Sequence, residues 1–158
     1  MLLFEVLRWL HVIGAAVLLG TGAGIAFFML MAHGSGDPRA IAHVAGTVVI
    51  ADMLFTATAV VLQPLTGAWL AAIEGFPLTR GWLLLSLGLY VLAGLFWLPV
   101  LWMQLKMRDL ARLSAAQAKP LPELYHRLFR LWFACGFPAF AAVLAIIWLM
   151  LSKPDLPF

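Results

Sequence analysis

Four apolar runs, each long enough to cross a bilayer, dominate this chain and leave little sequence between them. They cover about residues 4–31, 41–70, 81–103 and 128–151. A helix needs about 20 apolar residues to span the roughly 30 Å hydrocarbon core of a membrane. Because backbone amides in lipid must be hydrogen-bonded within their own segment, each run is predicted to be an α-helix.

Short connections between successive spans make neighbouring helices antiparallel. The predicted fold is all-α: a polytopic membrane protein, an up-down antiparallel four-transmembrane-helix bundle in a single integral membrane domain, residues 1–158. The helices are expected at about residues 4–31, 39–72, 80–107 and 123–151, and the third is expected to continue to about residue 117. The lipid bilayer is therefore the first predicted partner.

Basic residues are concentrated in two of the three connections. The stretches 32–40 and 104–127 contain Arg39, Lys106, Arg108, Arg112, Lys119 and Arg127, and Arg130 follows closely. The opposite side has only Arg8, Arg80 and Lys153. Excess Lys and Arg mark the cytoplasmic face, so both termini are expected outside. Membrane topology alone explains the basic cluster, and no nucleic-acid partner is expected.

Polar side chains form a stripe along the second predicted helix. At 100° per residue, a narrow arc contains Asp52, Thr56, Gln63 and Thr66. A central Asp facing lipid costs on the order of 2.5–3.5 kcal/mol, so the stripe is predicted to face the bundle interior. Two readings stay open at this point: the groups only hydrogen-bond to neighbouring helices, or they belong to a binding site.

The first and third helices each have one face that is also predicted to be internal. On the first helix this face contains His11, Ala15, Leu18, Gly22, Met29 and His33. On the third helix it contains Ser86, Tyr90, Ala93, Trp97 and Gln104. Gly22 would leave room for a planar ligand. Gly20 and Gly24 lie on the other side of the first helix as a Gly-x-x-x-Gly pair, which predicts a close helix-packing contact.

His11 lies about two turns into the first helix, where an imidazole needs a partner or a ligand. Neutral imidazole is an axial ligand of haem iron, so a b-type haem on His11 is one hypothesis. The alternative is a histidine that hydrogen-bonds to Gln63 or to a backbone carbonyl.

Met29 and His33 lie one turn apart near the end of the first helix, and Met103 and Met107 lie one turn apart at the same membrane level. Thioether and imidazole ligands suit Cu(I), so these four residues form a second candidate metal site. The alternative is that the methionines are packing residues in an apolar chain.

Several stretches resemble an uncharacterised bacterial family of four-helix integral membrane proteins. They are Gly34-Ser35-Gly36-Asp37-Pro38, Val49-Ile50-Ala51-Asp52, Leu62-Gln63-Pro64-Leu65-Thr66-Gly67 and Tyr125-His126-Arg127-Leu128-Phe129-Arg130-Leu131-Trp132-Phe133. More distantly, Leu7-Arg8-Trp9-Leu10-His11, with Gly20, Gly22 and His33, resembles the first helix of the HemJ-type protoporphyrinogen oxidases and of the CopD copper-resistance membrane proteins.

The HemJ resemblance implies a b-type haem, porphyrinogen oxidation and electron transfer to the respiratory chain. His11 and His33 match the two histidines of the HemJ first helix. The HemJ third helix opens Trp-Leu-His-x-Lys, whereas this chain has Trp82-Leu83-Leu84-Leu85-Ser86. The chain therefore lacks a candidate second haem ligand and a polar substrate contact, and whether it is an oxidoreductase is left open.

Three function hypotheses follow for a protein expected in the bacterial inner membrane with periplasmic termini. The first is a haem protein in electron transfer, with a quinone or porphyrin near His11, Gly22, Asp52, Gln63, Ser86 and Tyr90. The second is a copper-handling or transport protein of the CopD kind, using Met29, His33, Met103 and Met107. The third is a non-catalytic accessory subunit of a larger membrane complex or a homo-oligomer.

Overall fold

Four long helices make up nearly the whole of the computed structural model, which describes residues 1–157. They are α1 (Leu2–Ser35), α2 (Pro38–Glu74), α3 (Gly81–Gln117) and α4 (Glu123–Ser152). Each is long and apolar enough to cross a membrane, and no strand occurs within the described residues. The predicted all-α, four-span architecture is confirmed.

The connection between α1 and α2 has the residues that favour a helix end followed by a helix start. Helix α1 continues to Ser35, beyond the predicted end at residue 31, and stops at Gly36, whose φ of 65° suits a residue without a Cβ. The Asp37 side chain then accepts a hydrogen bond of 2.9 Å from the Arg39 backbone N–H. Pro38 occupies the first turn of α2, where its missing N–H costs nothing.

The bundle has two chemically different ends. The basic end contains the α1–α2 and α3–α4 connections and the basic residues around them, and the terminal end contains both chain termini. Helix α3 has 37 residues, which corresponds to about 55 Å at 1.5 Å per residue. Because a bilayer core is about 30 Å thick, α3 projects well beyond it.

Helix α2 is interrupted by a single π-helical turn, Asp52–Thr56. The part before it, Pro38–Ala51, packs against both α1 and α3. The part after it, Ala57–Glu74, packs mainly against α1. The extra residue in the π turn therefore marks the level at which α2 and α3 diverge towards the terminal end. π turns inside α-helices often occur at functional sites.

Two packed cores close the bundle at its ends. The core at the basic end has Met29, Ile41, Met107 and Tyr125 among its fully buried residues. The core at the terminal end contains Ala71, Trp82, Leu83 and Leu149.

Ion pairs and cation–π contacts reinforce the terminal end. Lys153 Nζ lies 3.2 Å from Glu74 Oε2 and also lies over the rings of Phe76 and Trp82. These contacts join the end of α4 to the end of α2 and the start of α3.

The Gly-x-x-x-Gly pair on α1 makes no close helix contact within the described chain. A Cβ built at Gly20 would have no neighbour within 4 Å, and one at Gly24 would meet only Phe28 of the same helix. The prediction of a packing contact within this chain is therefore wrong. Helix α1 instead approaches α2 through Gly14 and Gly67.

Candidate functional site: a cavity inside the membrane region

A cavity of about 530 Å³ lies between the two cores and is lined by all four helices. This volume falls within the range of pockets that bind small molecules. Most lining side chains are apolar. The polar and indole-bearing residues among them are Asp52, Thr56, Gln63, Tyr90, Trp97, Gln104 and Trp132. Most of these lie on the two helix faces that the sequence predicted to be internal.

Three glycines from three different helices shape the walls of this central cavity. Gly22 is on α1, Gly94 on α3 and Gly136 on α4. At each of them, a Cβ would meet no atom within 4 Å in the described part of the chain. The backbone can therefore be approached closely from three sides, which suits a flat ligand. Gly22 has the free space that the sequence predicted.

Some polar side chains in the cavity wall form hydrogen bonds between helices. Asp52 is 2% exposed and accepts a bond of 3.3 Å from Trp97 Nε1. The Tyr90 hydroxyl donates to the Val60 carbonyl oxygen. These two contacts hold α3 against α2 at and beyond the π turn, where the two backbones diverge.

Three buried polar atoms of the cavity wall have no hydrogen-bond partner among residues 1–157. They are Thr56 Oγ1, Gln104 Oε1 and Trp132 Nε1. Buried polar groups in native proteins are nearly always hydrogen-bonded, and exceptions point to a ligand or ordered water. All three belong to residues that line the central cavity. The cavity therefore offers a free donor at Trp132, a free acceptor at Gln104 and, next to the Asp52 carboxyl group, the hydroxyl of Thr56.

His11 lies beside the cavity and is not among the residues that line it. Its Nδ1 lies 2.9 Å from Thr66 Oγ1, and that hydroxyl also donates to the Leu62 carbonyl oxygen at 2.7 Å. Because a hydroxyl has one proton, the Thr66 oxygen accepts from Nδ1–H, which leaves the Nε2 lone pair free. The Gln63 amide donates to the His11 backbone carbonyl at 2.7 Å.

The remaining candidate residues are separate from the cavity. Ser86 is buried and donates to the Trp82 carbonyl within α3. Met29, Met103 and Met107 are buried in the basic-end core. The His33 ring stacks on Phe129 with centroids 3.7 Å apart, and its Nδ1 lies 3.4 Å from the Tyr125 hydroxyl. The copper site stays a prediction, since these contacts show packing and do not test metal binding.

The wall contributed by α4 was not predicted as part of the site. It includes Phe133, Gly136, Phe137 and Phe140, which recur at helical spacing. That spacing was the available signal. It is easy to miss because the lipid-facing side of the same helix is equally apolar.

The fold and the span lengths define a small polytopic membrane protein with four helices. The family model of the predicted integral membrane proteins DUF2269 matches residues 5–154, and the chain belongs to this family. No curated protein and no solved structure matches the chain. The distant resemblance to HemJ-type oxidases and CopD proteins gains no support from these comparisons.

Proposed function

We propose that this protein binds a lipid-soluble quinone or quinol in the central cavity, as part of a membrane redox system. The observation that carries the proposal is the coincidence of the three unpartnered polar atoms with the glycine-lined cavity. A quinone ring is flat, and its two carbonyl oxygens can accept from Trp132 Nε1–H and the Thr56 hydroxyl. A quinol hydroxyl can donate to Gln104 Oε1.

The length of the cavity also suits an isoprenoid tail. Its lining on α4 extends from Trp132 to Ile147, which corresponds to about 22 Å along the helix. The three free polar atoms lie in the half nearer the basic end. The half nearer the terminal end is lined by Ala15, Leu18, Val143 and Ile147, apart from the bonded Tyr90 and Gln63.

Quenching of tryptophan fluorescence tests this proposal, because Trp97 and Trp132 line the cavity. The purified protein is titrated in detergent micelles with an ubiquinone analogue that has a decyl tail. We expect saturable quenching for the wild type. Thr56→Val removes one hydrogen bond to the ligand and is expected to weaken binding about fivefold.

Thr58→Val is the matched control. Thr58 is exposed on the same helix, and its hydroxyl donates to the Leu54 carbonyl away from the cavity. The Thr58→Val variant should bind the analogue with the affinity of the wild type. Quenching that does not saturate in the wild type would overturn quinone binding. If the two valine variants bind with equal affinity, the head group of the ligand does not contact Thr56.

A second candidate is a b-type haem with His11 as an axial ligand. The observation that favours it is the free Nε2 of His11, whose ring is oriented by the Nδ1–H bond to Thr66. Metal-bound histidines commonly donate their other ring N–H in this way. When bound, such a group would supply one-electron chemistry. The fit is partial, because the cavity lining includes no histidine and His33 lies at the other end of α1.

A reduced-minus-oxidised absorbance spectrum tests the haem candidate directly. Protein purified from cells with ample haem should show a Soret band that His11→Ala abolishes and Thr66→Val shifts. A wild-type spectrum with no Soret band would end this candidate without affecting the quinone proposal.

For the membrane orientation, we propose that the basic end faces the cytoplasm of a bacterial cell and the termini face the periplasm. The basic residues around the two basic-end connections support this, since Lys and Arg favour the cytoplasmic side. A C-terminal alkaline phosphatase fusion should then be active. If the phosphatase fusion is inactive and a separate C-terminal green fluorescent protein fusion is fluorescent, the termini face the cytoplasm and the proposed orientation is wrong.

A further inference from the structure

A buried core lies at each end of the central cavity. At the basic end, the core around Met29, Ile41 and Tyr125 fills the space between the helices. At the terminal end, a smaller core of Ala71, Trp82 and Leu149 joins α2, α3 and α4. The aqueous ends of the bundle are therefore the less open sides of the cavity for a ligand of the size of a quinone.

The side between α1 and α4 is different. Taken over their whole lengths, α1 and α4 make the least extensive contact of the four neighbouring pairs of helices, although the part of α2 after the π turn also separates from α3. Every cavity-lining residue that is exposed on the outer surface belongs to one of these two helices. They are Ala23 on α1 and Phe133, Phe137 and Phe140 on α4.

Phe137 defines the position of the opening most clearly. Its side chain lines the cavity, yet the residue is 64% exposed, so it faces the cavity and the surrounding lipid at once. Its ring packs edge-to-face on Phe133, with centroids 5.1 Å apart. On α2 and α3, by contrast, all cavity-lining residues are buried or half-buried.

We infer that the ligand enters the central cavity sideways from the bilayer, through an opening between α1 and α4 formed by Ala23, Phe133, Phe137 and Phe140. The opening lies level with the apolar and glycine-lined walls. The ring can therefore pass to the free polar atoms of Thr56, Gln104 and Trp132 while the tail remains in lipid. This inference rests on the proposed quinone binding and adds the route of exchange.

The test measures how fast the decyl-tailed ubiquinone analogue reaches the cavity. Proteoliposomes are mixed with vesicles that contain the analogue, and tryptophan quenching is followed in a stopped-flow instrument. Ala23→Phe narrows the opening without removing a polar group, and is expected to slow association by roughly a factor of ten. Phe137→Ala widens it and is expected to speed both association and dissociation several-fold.

Ala68→Phe is the matched control, because Ala68 is exposed on α2 and does not line the cavity. It should leave the rates unchanged. Opposite changes in the Ala23 and Phe137 variants cannot come from loss of folding and would support the sideways route. Equal rates in all three variants, with saturable binding intact, would overturn it. Loss of saturable binding in the wild type would instead refute the proposed function.

Discussion

At the scale of single residues, a short chain of hydrogen bonds explains why a histidine is stable inside the apolar part of α1. The His11 ring donates to Thr66, and the backbone carbonyl of His11 accepts from Gln63. Both partners lie on α2, so these two bonds fasten α1 to α2 beside the cavity. Small residues make the approach possible, because a Cβ at Gly67 would lie 3.0 Å from His11 Cε1.

Gly14→Ala should break one of these bonds. A Cβ at Gly14 would lie 2.5 Å from Gln63 Nε2, so the amide must leave the His11 carbonyl. We expect a loss of about 1–3 kcal/mol in the free energy of unfolding, from overpacking and a lost hydrogen bond. Thermal unfolding in detergent measures it.

Gly20→Ala is the control for this substitution. It makes the same chemical change on the same helix, at a position with open space around it in the described chain. Because alanine favours helix more than glycine does, stability should hold or rise slightly. A similar drop for both variants would show that the Gly14 contact does not hold the helices together.

At the scale of helices, the π turn in α2 sets which residues face the cavity. The polar stripe is buried within the turn and after it: Asp52 and Thr56 lie in the turn, and Gln63 and Thr66 follow it. The sequence predicted the stripe from regular helical spacing and its burial is confirmed. It could not predict the π turn, because Asp52-Met53-Leu54-Phe55-Thr56 carries no local signal for one.

Deleting Met53 should convert the π turn to a regular α-helix. The π turn holds one extra residue, so its removal lets regular i→i+4 hydrogen bonds run through α2 while Gln63 and Thr66 keep the side that faces α1. We therefore expect a normal yield of folded monomer on size-exclusion chromatography. The change falls on Asp52 and Thr56 within the turn, so binding of the ubiquinone analogue should weaken.

Met53→Ala keeps the chain length and is the control for the deletion. Met53 is exposed to the lipid side, so its truncation should change stability by no more than about 0.5 kcal/mol. A deletion variant that binds the analogue as well as Met53→Ala would show that the π turn does not set the position of the cavity-lining polar groups.

At the scale of the whole molecule, the features that the sequence predicts are those whose alternatives would cost much free energy in lipid. The span number follows from the hydrocarbon thickness, and the inward faces of α1, α2 and α3 follow from their glycine, amide and carboxyl groups. Gly22, Asp52, Gln63 and Tyr90 line one cavity, whereas His11 and Ser86, from the same faces, do not. The α4 wall was missed because a phenylalanine costs little on either side of a helix in lipid.

The two packed cores have a consequence for the polar groups that lie between them. Met29 and Tyr125 fill the basic end, and Trp82 and Leu149 pack together at the terminal end. The Asp52 carboxyl group, in a residue that is 2% exposed, therefore lies between two apolar layers and away from either end of the bundle. A molecule that meets Asp52 must itself be soluble in an apolar environment.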